Sequence, residues 1–393
     1  MIAEELVPNS ESEVCEAVMA AGAAASCLHI RGGGTRHAMA NAEGKRLSIS
    51  GLNGITLYEP AELVLSAQAG TPVARIEAEL DSKNQRLAFE PPDYRDLLGT
   101  EGEPTIGGCV AVNASGPRRV NAGACRDGLI GVRMVTGRGE IVRSGGRVMK
   151  NVTGYDLVKL SAGAHGTLGV LTEVTFKLLP KPQTQASLVL RGLSVARAIE
   201  AMLTALRSPY EVTGAAHLPA GQGREGATYL RLEGFDFSVQ HRSRELVRVL
   251  TPFGEAERLD ELGSAAVWRD IRDARAFQVP PGDVVWRVST RASQAAALAA
   301  HLSGIAKAAA FDWGGALIWL TCALDGDGGQ AAIRGALRAV GGHATLARAP
   351  AEMRMRLDTF EPLPDALMNL TGKIKQAFDP QGILNPGRMY TTI

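Results

Sequence analysis

The chain has 393 residues with 42 basic and 41 acidic side chains, and its net charge of +1 argues against a function that depends on binding nucleic acid or anionic membrane. The length predicts two domains, because a chain of this length exceeds what a single hydrophobic core usually accommodates. The amino terminus lacks a signal pattern and no segment is long and apolar enough to span a membrane, which predicts a cytoplasmic protein without direct membrane insertion. Five scattered cysteines without a C-x-x-C pair predict neither a disulfide framework nor a metal or iron–sulfur site.

The first predicted elements lead into a glycine-rich loop. A helix over residues 10–25 precedes a short apolar strand at 27–30. The strand ends at a loop whose backbone N–H groups are accessible, as in loops that bind phosphate, and a tight turn is the alternative. The Rossmann fingerprint and the P-loop both fail here, because the third Rossmann glycine is replaced and no Gly-Lys-Ser/Thr follows. The candidate loop residues are Arg31, Gly32, Gly33, Gly34, Thr35, Arg36 and His37.

A second glycine-containing segment follows a predicted strand and helix. The strand covers residues 62–68, Thr71 is predicted to cap the next helix with Pro72 in its first turn, and another strand begins at 87–89. In residues 104–119, paired glycines allow backbone to approach a flat ligand, and short polar side chains surround it. A buried helix start is the alternative for this segment. The candidates are Thr105, Gly107, Gly108, Asn113, Ser115 and Gly116.

A third glycine-rich run lies beyond a predicted hairpin at residues 130–144. It is followed by a strand at 171–179 and by the boundary sequence Pro180-Lys181-Pro182. The chain's 45 glycines exceed the usual share of about 7% and are concentrated before residue 170, which indicates a ligand site built largely from backbone. The run supplies the candidates Gly163, His165, Gly166, Thr167, Gly169 and Val170.

From about residue 186, strands and helices alternate in an order that occurs twice. A β-α-β-β-α-β unit is predicted at 187–259 and again at 283–347, with a helix at 264–276 between them. This order predicts a duplicated ferredoxin-like unit without a visible residue-level repeat. All four tryptophans of the chain lie in this half and are predicted to be core residues: Trp268, Trp286, Trp313 and Trp319.

The last segment contains a predicted helix at residues 364–378 and a turn at Asn385–Arg388. The apolar positions of the helix lie on one side. We expect that side to pack against the first domain. Its apolar residues are Leu367, Leu370, Ile374 and Phe378.

Five segments in this order resemble the FAD flavoproteins of the vanillyl-alcohol-oxidase, or PCMH, type. Within that superfamily the chain is similar to the FAD-binding subunits of bacterial glycolate oxidase (glycolate dehydrogenase). The resemblance implies an α+β fold in which a two-part FAD-binding domain, residues 1–182, carries an inserted duplicated ferredoxin-like cap, residues 183–350, and is completed by residues 351–393. The five segments are Arg31–Thr35, Thr105–Gly116, Lys150–Asp156, Gly166–Val170 and Phe378–Gly387.

The resemblance implies FAD as the cofactor. The Arg31–Thr35 loop is expected on the pyrophosphate, Thr105–Gly116 near the pyrophosphate and isoalloxazine, and Gly163–Val170 near the adenine and ribose. Asn385 is a further candidate cofactor residue. Some relatives bind FAD covalently through a histidine in the glycine loop; Thr35 occupies that position here, so we expect non-covalent FAD, with His37 two positions away.

The resemblance also implies a multisubunit complex that oxidises a small 2-hydroxy acid, glycolate, to glyoxylate. The expected partners are a homologous catalytic FAD subunit and an iron–sulfur subunit, through which any membrane association occurs. Many relatives carry a His-x-Gly-Asp-Gly-Asn-Leu-His metal and substrate motif. Here only Asp325 and Asp327 remain, and a polar turn is the preferred interpretation. No metal site is therefore predicted, and this flavin is expected to transfer electrons.

The catalytic base is unidentified at this stage. His165 is expected to line the cofactor site. Arg118 and Arg119 are expected either to contact a carboxylate or a flavin phosphate, or to form a pair at the surface or at an interface. Two other functions stay open. One is a stand-alone FAD-dependent dehydrogenase of a 2-hydroxy acid or alcohol, and the other is a non-catalytic assembly subunit.

Overall fold

The computed structural model of the chain describes residues 5–36, 44–146, 155–221, 224–277, 279–280 and 282–390. Two large apolar clusters fill its interior. One draws on residues between Val14 and Leu178 and includes Ile383 and Leu384 from the tail. The other lies between Ala186 and Met353. The predicted domain boundaries stay a prediction, but the tail does return to the first core.

The first part of the chain contains nine strands and seven α-helices within the described ranges. They are β1 (Glu5–Leu6), α1 (Glu11–Ala23), β2 (Leu28–Arg31), β3 (Lys45–Ser48), β4 (Ile55–Glu59), β5 (Val64–Gln68), α2 (Val73–Asp81), β6 (Gln85–Leu87), α3 (Arg95–Leu98), α4 (Ile106–Ala111), α5 (Arg119–Ala122), α6 (Cys125–Gly128), β7 (Leu129–Val135), β8 (Ile141–Gly145), α7 (Leu157–Ser161) and β9 (Val170–Pro180).

Two sheets organise this part. A three-stranded parallel sheet has the order β1-β3-β2, and a six-stranded sheet has the order β4-β5-β9-β7-β8 with β6 also paired to β9. The predicted hairpin is the antiparallel pair β7 and β8. The glycine loop leaves the C-terminal end of β2, so its position is fixed by the parallel sheet beneath it.

Local sequence rules explain most of the helices here. Ser10 caps α1, whose Val14 and Val18 are fully buried at helical spacing. The predicted capping of α2 by Thr71 is wrong. The Thr71 hydroxyl instead accepts from the Gly54 N–H at 2.9 Å and contacts the Gly54 carbonyl at 3.1 Å, so a tertiary partner outcompetes the helix end.

The second part of the chain forms a layer of helices on one continuous sheet. Its elements are β10 (Thr184–Arg191), α8 (Val195–Arg207), β11 (Gly214–Leu218), β12 (Ala227–Gly234), α9 (Asp236–Leu250), β13 (Ala256–Leu259), α10 (Glu261–Arg272), β14 (Val284–Thr290), α11 (Ala295–Leu302), β15 (Ala306–Asp312), β16 (Leu317–Cys322), α12 (Gln330–Val340) and β17 (Gly342–Arg348). We call this part the cap.

The predicted duplication is visible in the strand order of the cap. Its eight-stranded sheet has the order β13-β10-β12-β11-β15-β16-β14-β17, so each half runs fourth, first, third, second from its outer edge. The halves meet where β11 pairs with β15 at His217 and Phe311. The four tryptophans are buried, as predicted. This architecture is the α+β fold with a duplicated ferredoxin-like cap that the sequence predicts.

The tail contributes α13 (Ala351–Arg354) and α14 (Asp365–Phe378). The expectation that the apolar side of α14 packs along its length is wrong, since Leu367 and Leu370 are 50% and 53% exposed. Only the C-terminal turns of α14 are anchored, through buried Lys375 and partly buried Phe378. Within the described ranges, no helix has the length and apolar character needed to cross a membrane.

Candidate flavin site

The glycine loop after β2 presents a row of backbone donors. No acceptor for the N–H groups of Gly32, Gly33, Gly34 and Thr35 occurs among the residues that the structure describes. Adjacent unpaired N–H groups form an anion-binding concavity. The Thr35 carbonyl accepts from the Thr100 hydroxyl at 2.7 Å, which fixes the end of the loop. This donor set fits a pyrophosphate.

The loop conformation requires glycine at its centre. A Cβ on Gly33 would lie 1.7 Å from the Glu103 carbonyl oxygen, and one on Gly32 would lie 2.2 Å from the Thr105 hydroxyl. Gly34 has a φ of +74°, in the left-handed region. These glycines therefore allow the segment before α4 to pack directly against the loop and hold its N–H groups in one place.

The segment from Thr105 to Gly116 begins with a helix, which was the alternative prediction for this segment. Thr105 caps α4 by accepting from the Gly108 N–H, and a Cβ on Gly107 would lie 2.6 Å from that of Ala69. Gly107 thus has a packing role independent of any ligand. Gly116 donates to the Phe89 carbonyl at 2.9 Å.

Asn113 and Ser115 use their side chains to hold the start of α6. Asn113, with a φ of +49°, accepts from the Arg126 N–H at 3.0 Å through its side-chain oxygen. The Ser115 hydroxyl accepts from the Cys125 N–H, also at 3.0 Å. Both residues line the cavity described below, so these bonds fix the cavity wall.

The third glycine-rich segment packs against the end of α4. The N–H groups of Gly163 and His165 donate to the Val110 and Ala111 carbonyls at 3.0 and 2.8 Å. Thr167 is buried and bonds the Ala164 carbonyl. Gly169 approaches the Val135 carbonyl, and Val170 is fully buried at the start of β9.

Asn385 connects this segment to the glycine loop. Its side chain accepts from the Ile30 N–H and donates to the His165 carbonyl, each at 2.8 Å. Gly166, with a φ of +73°, leaves room for it, since a Cβ there would lie 2.7 Å from the Asn385 amide nitrogen. One tail side chain therefore ties β2 to the His165 turn.

The tail itself is fixed by a buried ion pair. Lys375 donates to Asp379 at 2.7 Å and to the carbonyls of Thr167 and Leu384, both at 2.8 Å. Asp379 also accepts from the Ile383 and Leu384 N–H groups. These bonds explain the Asp-Pro-Gln-Gly part of the closing motif, which positions Asn385.

A cavity of about 120 Å³ lies between these segments and the cap. Tyr94 packs edge-on against Trp319 with ring centroids 5.2 Å apart, and His165 packs against Phe360 at 4.9 Å. The mainly apolar wall is typical of a small-molecule site. The sequence did not single out the contributions of the cap and tail. The lining residues are Arg36, Tyr94, Leu98, Val112, Asn113, Ala114, Ser115, His165, Arg287, Trp319, Thr345, Ala347 and Phe360.

Cationic side chains face this region. The Arg36 guanidinium donates to the Pro92 carbonyl at 2.7 Å and lies 5.7 Å from the Tyr94 ring centroid. Arg287 lies over the Trp313 ring, and burial lowers its pKa. Burial, followed by the charge of Arg354, lowers the pKa of Arg388 to about 10.

The proton-exchanging side chains of the cavity have pKa values far from neutrality. Burial, with a further contribution from the Arg388 charge, lowers the pKa of His165 to about 3. His165 is therefore a neutral imidazole at physiological pH, and it has a φ of +53°. Burial raises the pKa of Tyr94 to about 12, so its phenol keeps its proton.

A buried ionic network joins the first domain to the cap. Glu90 accepts from Arg231 at 2.8 and 2.9 Å and from the Arg118 N–H at 2.7 Å. Arg118 donates to Glu233 at 2.8 and 3.0 Å, and Arg86 donates to the same carboxylate at 2.7 Å. Arg118 thus has an interface carboxylate as its partner, one of the possibilities open from the sequence. Arg118 comes shortly after the Val112–Ser115 part of the cavity wall, so the network supports that wall.

The remaining residues singled out in the sequence lie either away from the cavity or outside the described residues. His37 and Lys150–Gly154 lie outside the described residues. Arg31 pairs with Glu5 at the surface at 3.5 Å, and Arg119 lies over the Trp313 ring at 4.6 Å. Asp327 accepts from the Gly329 and Ala331 N–H groups at the start of α12, so the polar-turn interpretation is confirmed. In the part of the chain that the structure describes, no three His, Cys, Asp or Glu side chains lie together as a metal site would require.

Comparison with known proteins defines the class. A family model described as an FAD binding domain matches residues 4–145. The solved structure of 4-ethylphenol oxidase from Gulosibacter chungangensis, in complex with isoeugenol, has the same fold, with a TM-score of 0.73 at 15% identity over 99% of this chain and 89% of that one. The protein is a flavoprotein with the PCMH-type fold, and FAD is its cofactor.

Two relatives with similar sequences identify the family within this class. The chain is 36% identical over 351 residues to glycolate oxidase subunit GlcE of Escherichia coli (strain K12), covering 89% of this chain and 88% of that protein. It is also 36% identical over 138 residues to glycolate oxidase subunit GlcD of Bacillus subtilis (strain 168), which covers 35% of this chain and 28% of that protein. The chain belongs to the family of glycolate oxidase subunit GlcE.

Proposed function

We propose that this chain is the FAD-binding subunit of a glycolate-oxidising complex and that its flavin transfers electrons, while a homologous flavin subunit oxidises glycolate to glyoxylate. An iron–sulfur subunit passes the electrons onward. The family supports the complex, since both GlcE and GlcD are named as subunits of glycolate oxidase. The single observation that supports assigning glycolate oxidation to the other flavin subunit is that none of the described residues lining the cavity has a side chain suited to act as a general base.

Oxidation of a 2-hydroxy acid requires a group that takes the hydroxyl proton, and such a group works best with a pKa near the working pH. The pKa of His165 is lowered to about 3, so its imidazole is a weak proton acceptor. Tyr94, with a pKa raised to about 12, is already protonated. The arginines of the cavity stay charged and accept no proton. The cavity therefore favours binding and shielding over proton abstraction.

The chain's own residues have three tasks in this proposal. The N–H groups of Gly32–Thr35 bind the FAD pyrophosphate, and the Asn385 bonds hold the loop against the His165 turn. Trp319, Tyr94 and Phe360 exclude water from the cavity. When bound, FAD supplies two-electron oxidation and one-electron transfer to an acceptor.

A second candidate function is favoured by Arg287. Its guanidinium faces the cavity and has neither a hydrogen-bond acceptor nor a carboxylate partner among the described residues. An arginine of this kind matches a substrate carboxylate. The alternative is thus a stand-alone dehydrogenase of a 2-hydroxy acid.

Turnover assays separate these functions. We expect the purified chain to be yellow but to reduce a dye with glycolate at no more than about 1% of the rate of the complex reconstituted with both partner subunits, a loss of roughly 3 kcal/mol or more in transition-state stabilisation. The control is the complex lacking this chain. Full activity of the chain alone would favour the second candidate, and a colourless chain would indicate an assembly subunit.

The mode of FAD attachment gives an independent prediction. Thr35 offers no imidazole for a covalent bond, so precipitation of the holoprotein with acid should release all of its flavin into the supernatant. The released flavin is quantified by fluorescence, and a Thr35→Val variant serves as a control that leaves this result unchanged. Flavin that stays with the pellet after washing contradicts the prediction.

A further inference from the structure

The cap exposes three large apolar side chains at one end of its sheet. Phe235 is 77% exposed, Phe237 is 80% exposed and Leu262 is 80% exposed. Single exposed apolar residues are ordinary, but a group of them marks an interaction surface. We call these three residues the Phe235 patch.

Strand register and side-chain bonds place the three residues together. β10 begins at Thr184, which pairs with Gly234, the residue before Phe235. The N–H of Asp236 donates to the Gln183 side chain at 3.1 Å. On the other side of the same strand end, the Thr184 hydroxyl donates to Glu261, the neighbour of Leu262, at 3.2 Å. The start of β10 therefore lies between the two Phe residues and Leu262.

Folding of the cap gives no reason for Phe at these positions. Phe235 is the N-cap residue of α9 and makes no side-chain capping bond, at a position where Ser, Thr, Asp or Asn is preferred. The helix buries Val239, Leu246 and Leu250 in the core from its other face. A polar residue at position 235 would serve the helix better, so the two aromatic side chains are best explained by contact with another molecule.

Acidic residues adjoin the members of the patch in the sequence. Asp236 lies between the two Phe residues, and Asp260 and Glu261 precede Leu262. We propose that the Phe235 patch docks a partner subunit of the complex through a surface that has apolar pockets and a rim of Lys and Arg side chains. This inference rests on the proposed function for the existence of those partners.

A second copy of this chain fits the patch less well. A symmetric contact brings identical patches face to face, so the acidic residues of one copy would meet those of the other. Like charges in apposition oppose association. Charge complementarity thus selects a basic partner surface over a homodimer.

Paired variants test the docking surface. Phe235→Ser with Phe237→Ser is compared with Leu367→Ser combined with Leu370→Ser, which alters the half-exposed side of α14. Each tagged chain is co-expressed with the homologous flavin subunit and the iron–sulfur subunit and captured by its tag. FAD content should match the wild type in both variants, and neither variant should unfold at a lower temperature than the wild type, since the altered side chains are exposed and Ser at position 235 can cap α9.

We expect the Phe variant to bind its partners at least about 30-fold more weakly, as expected for loss of a buried aromatic hot spot, and the α14 variant to bind normally. Added salt should weaken the wild-type complex, because the acidic rim is screened. Normal binding by the Phe variant, or loss of partners with the α14 variant alone, overturns the docking surface and leaves the proposed function standing. A wild-type chain that captures neither subunit overturns both. A wild-type homodimer that the Phe variant converts to monomer also overturns the proposal, in favour of a second copy.

Discussion

Gly33→Ala should lower the affinity for FAD by about 10- to 100-fold, the effect of losing one hydrogen bond to a charged group at roughly 1.5–3 kcal/mol. The new Cβ would lie 1.7 Å from the Glu103 carbonyl oxygen and 2.7 Å from its carbon. Backbone cannot yield as a flexible side chain does, so the loop must move. Its N–H groups then no longer converge on one anion.

The measurement is a titration of apoprotein with FAD, followed by quenching of flavin fluorescence. Gly304→Ala is a matched control, because a Cβ at Gly304 meets no heavy atom within 4 Å and its φ is not positive. Circular dichroism and thermal unfolding of both apoproteins separate a local effect from loss of the fold. Wild-type affinity in a folded Gly33→Ala protein would exclude this loop as the pyrophosphate site.

The parts of the site that were predictable from sequence are those with a local cause. Consecutive glycines point to accessible backbone wherever they occur, and the loop after β2 presents such backbone. Helical spacing likewise explains why Val14, Val18 and Ala21 share the buried face of α1. The ordered motifs then supplied the family, which matched in the comparison of whole chains.

Tertiary partners account for most of what the sequence did not predict. Glu90 and Arg231 are 141 residues apart and pair only because the cap folds over the first domain. Arg287 and Phe360 reach the cavity from a cap strand and the tail, and no periodicity relates them. The apolar side of α14 was correctly placed on a helix, but its burial depended on a neighbour that covers only the C-terminal end.

Glu90→Gln should have the largest effect on stability, a loss of about 3–5 kcal/mol in the free energy of unfolding. The substitution keeps the size of the side chain but removes the charge that pairs with Arg231, which is 1% exposed. Burial alone would raise the pKa of Glu90, but the guanidinium groups of Arg231 and Arg118 outweigh it and lower the pKa to about 2. The carboxylate is therefore strongly favoured in the folded protein, and without it a buried guanidinium loses its main partner.

The lowered pKa of Glu90 also determines how its contribution to the free energy of unfolding depends on pH. An unfolded glutamate has a pKa of about 4.3, so the stabilisation by Glu90 is fully present above that pH and is lost as the pH falls towards the folded pKa of about 2. Urea unfolding at several pH values should show a large difference between wild type and Glu90→Gln near neutrality and a shrinking one below about pH 4.

The matched control for this variant is Glu257→Gln, at an ion pair with Arg191 in which both side chains are 50% exposed. It should cost less than about 1 kcal/mol, because solvent screens an exposed pair. If the two variants lose equal stability, the network contributes no more than a surface pair. If Glu90→Gln behaves as expected, its Kd for FAD should also rise, because Arg118 comes shortly after the cavity wall formed by Val112–Ser115 and loses the carboxylate that accepts its N–H. That coupling is what distinguishes a network that supports the flavin site from one that only attaches the cap.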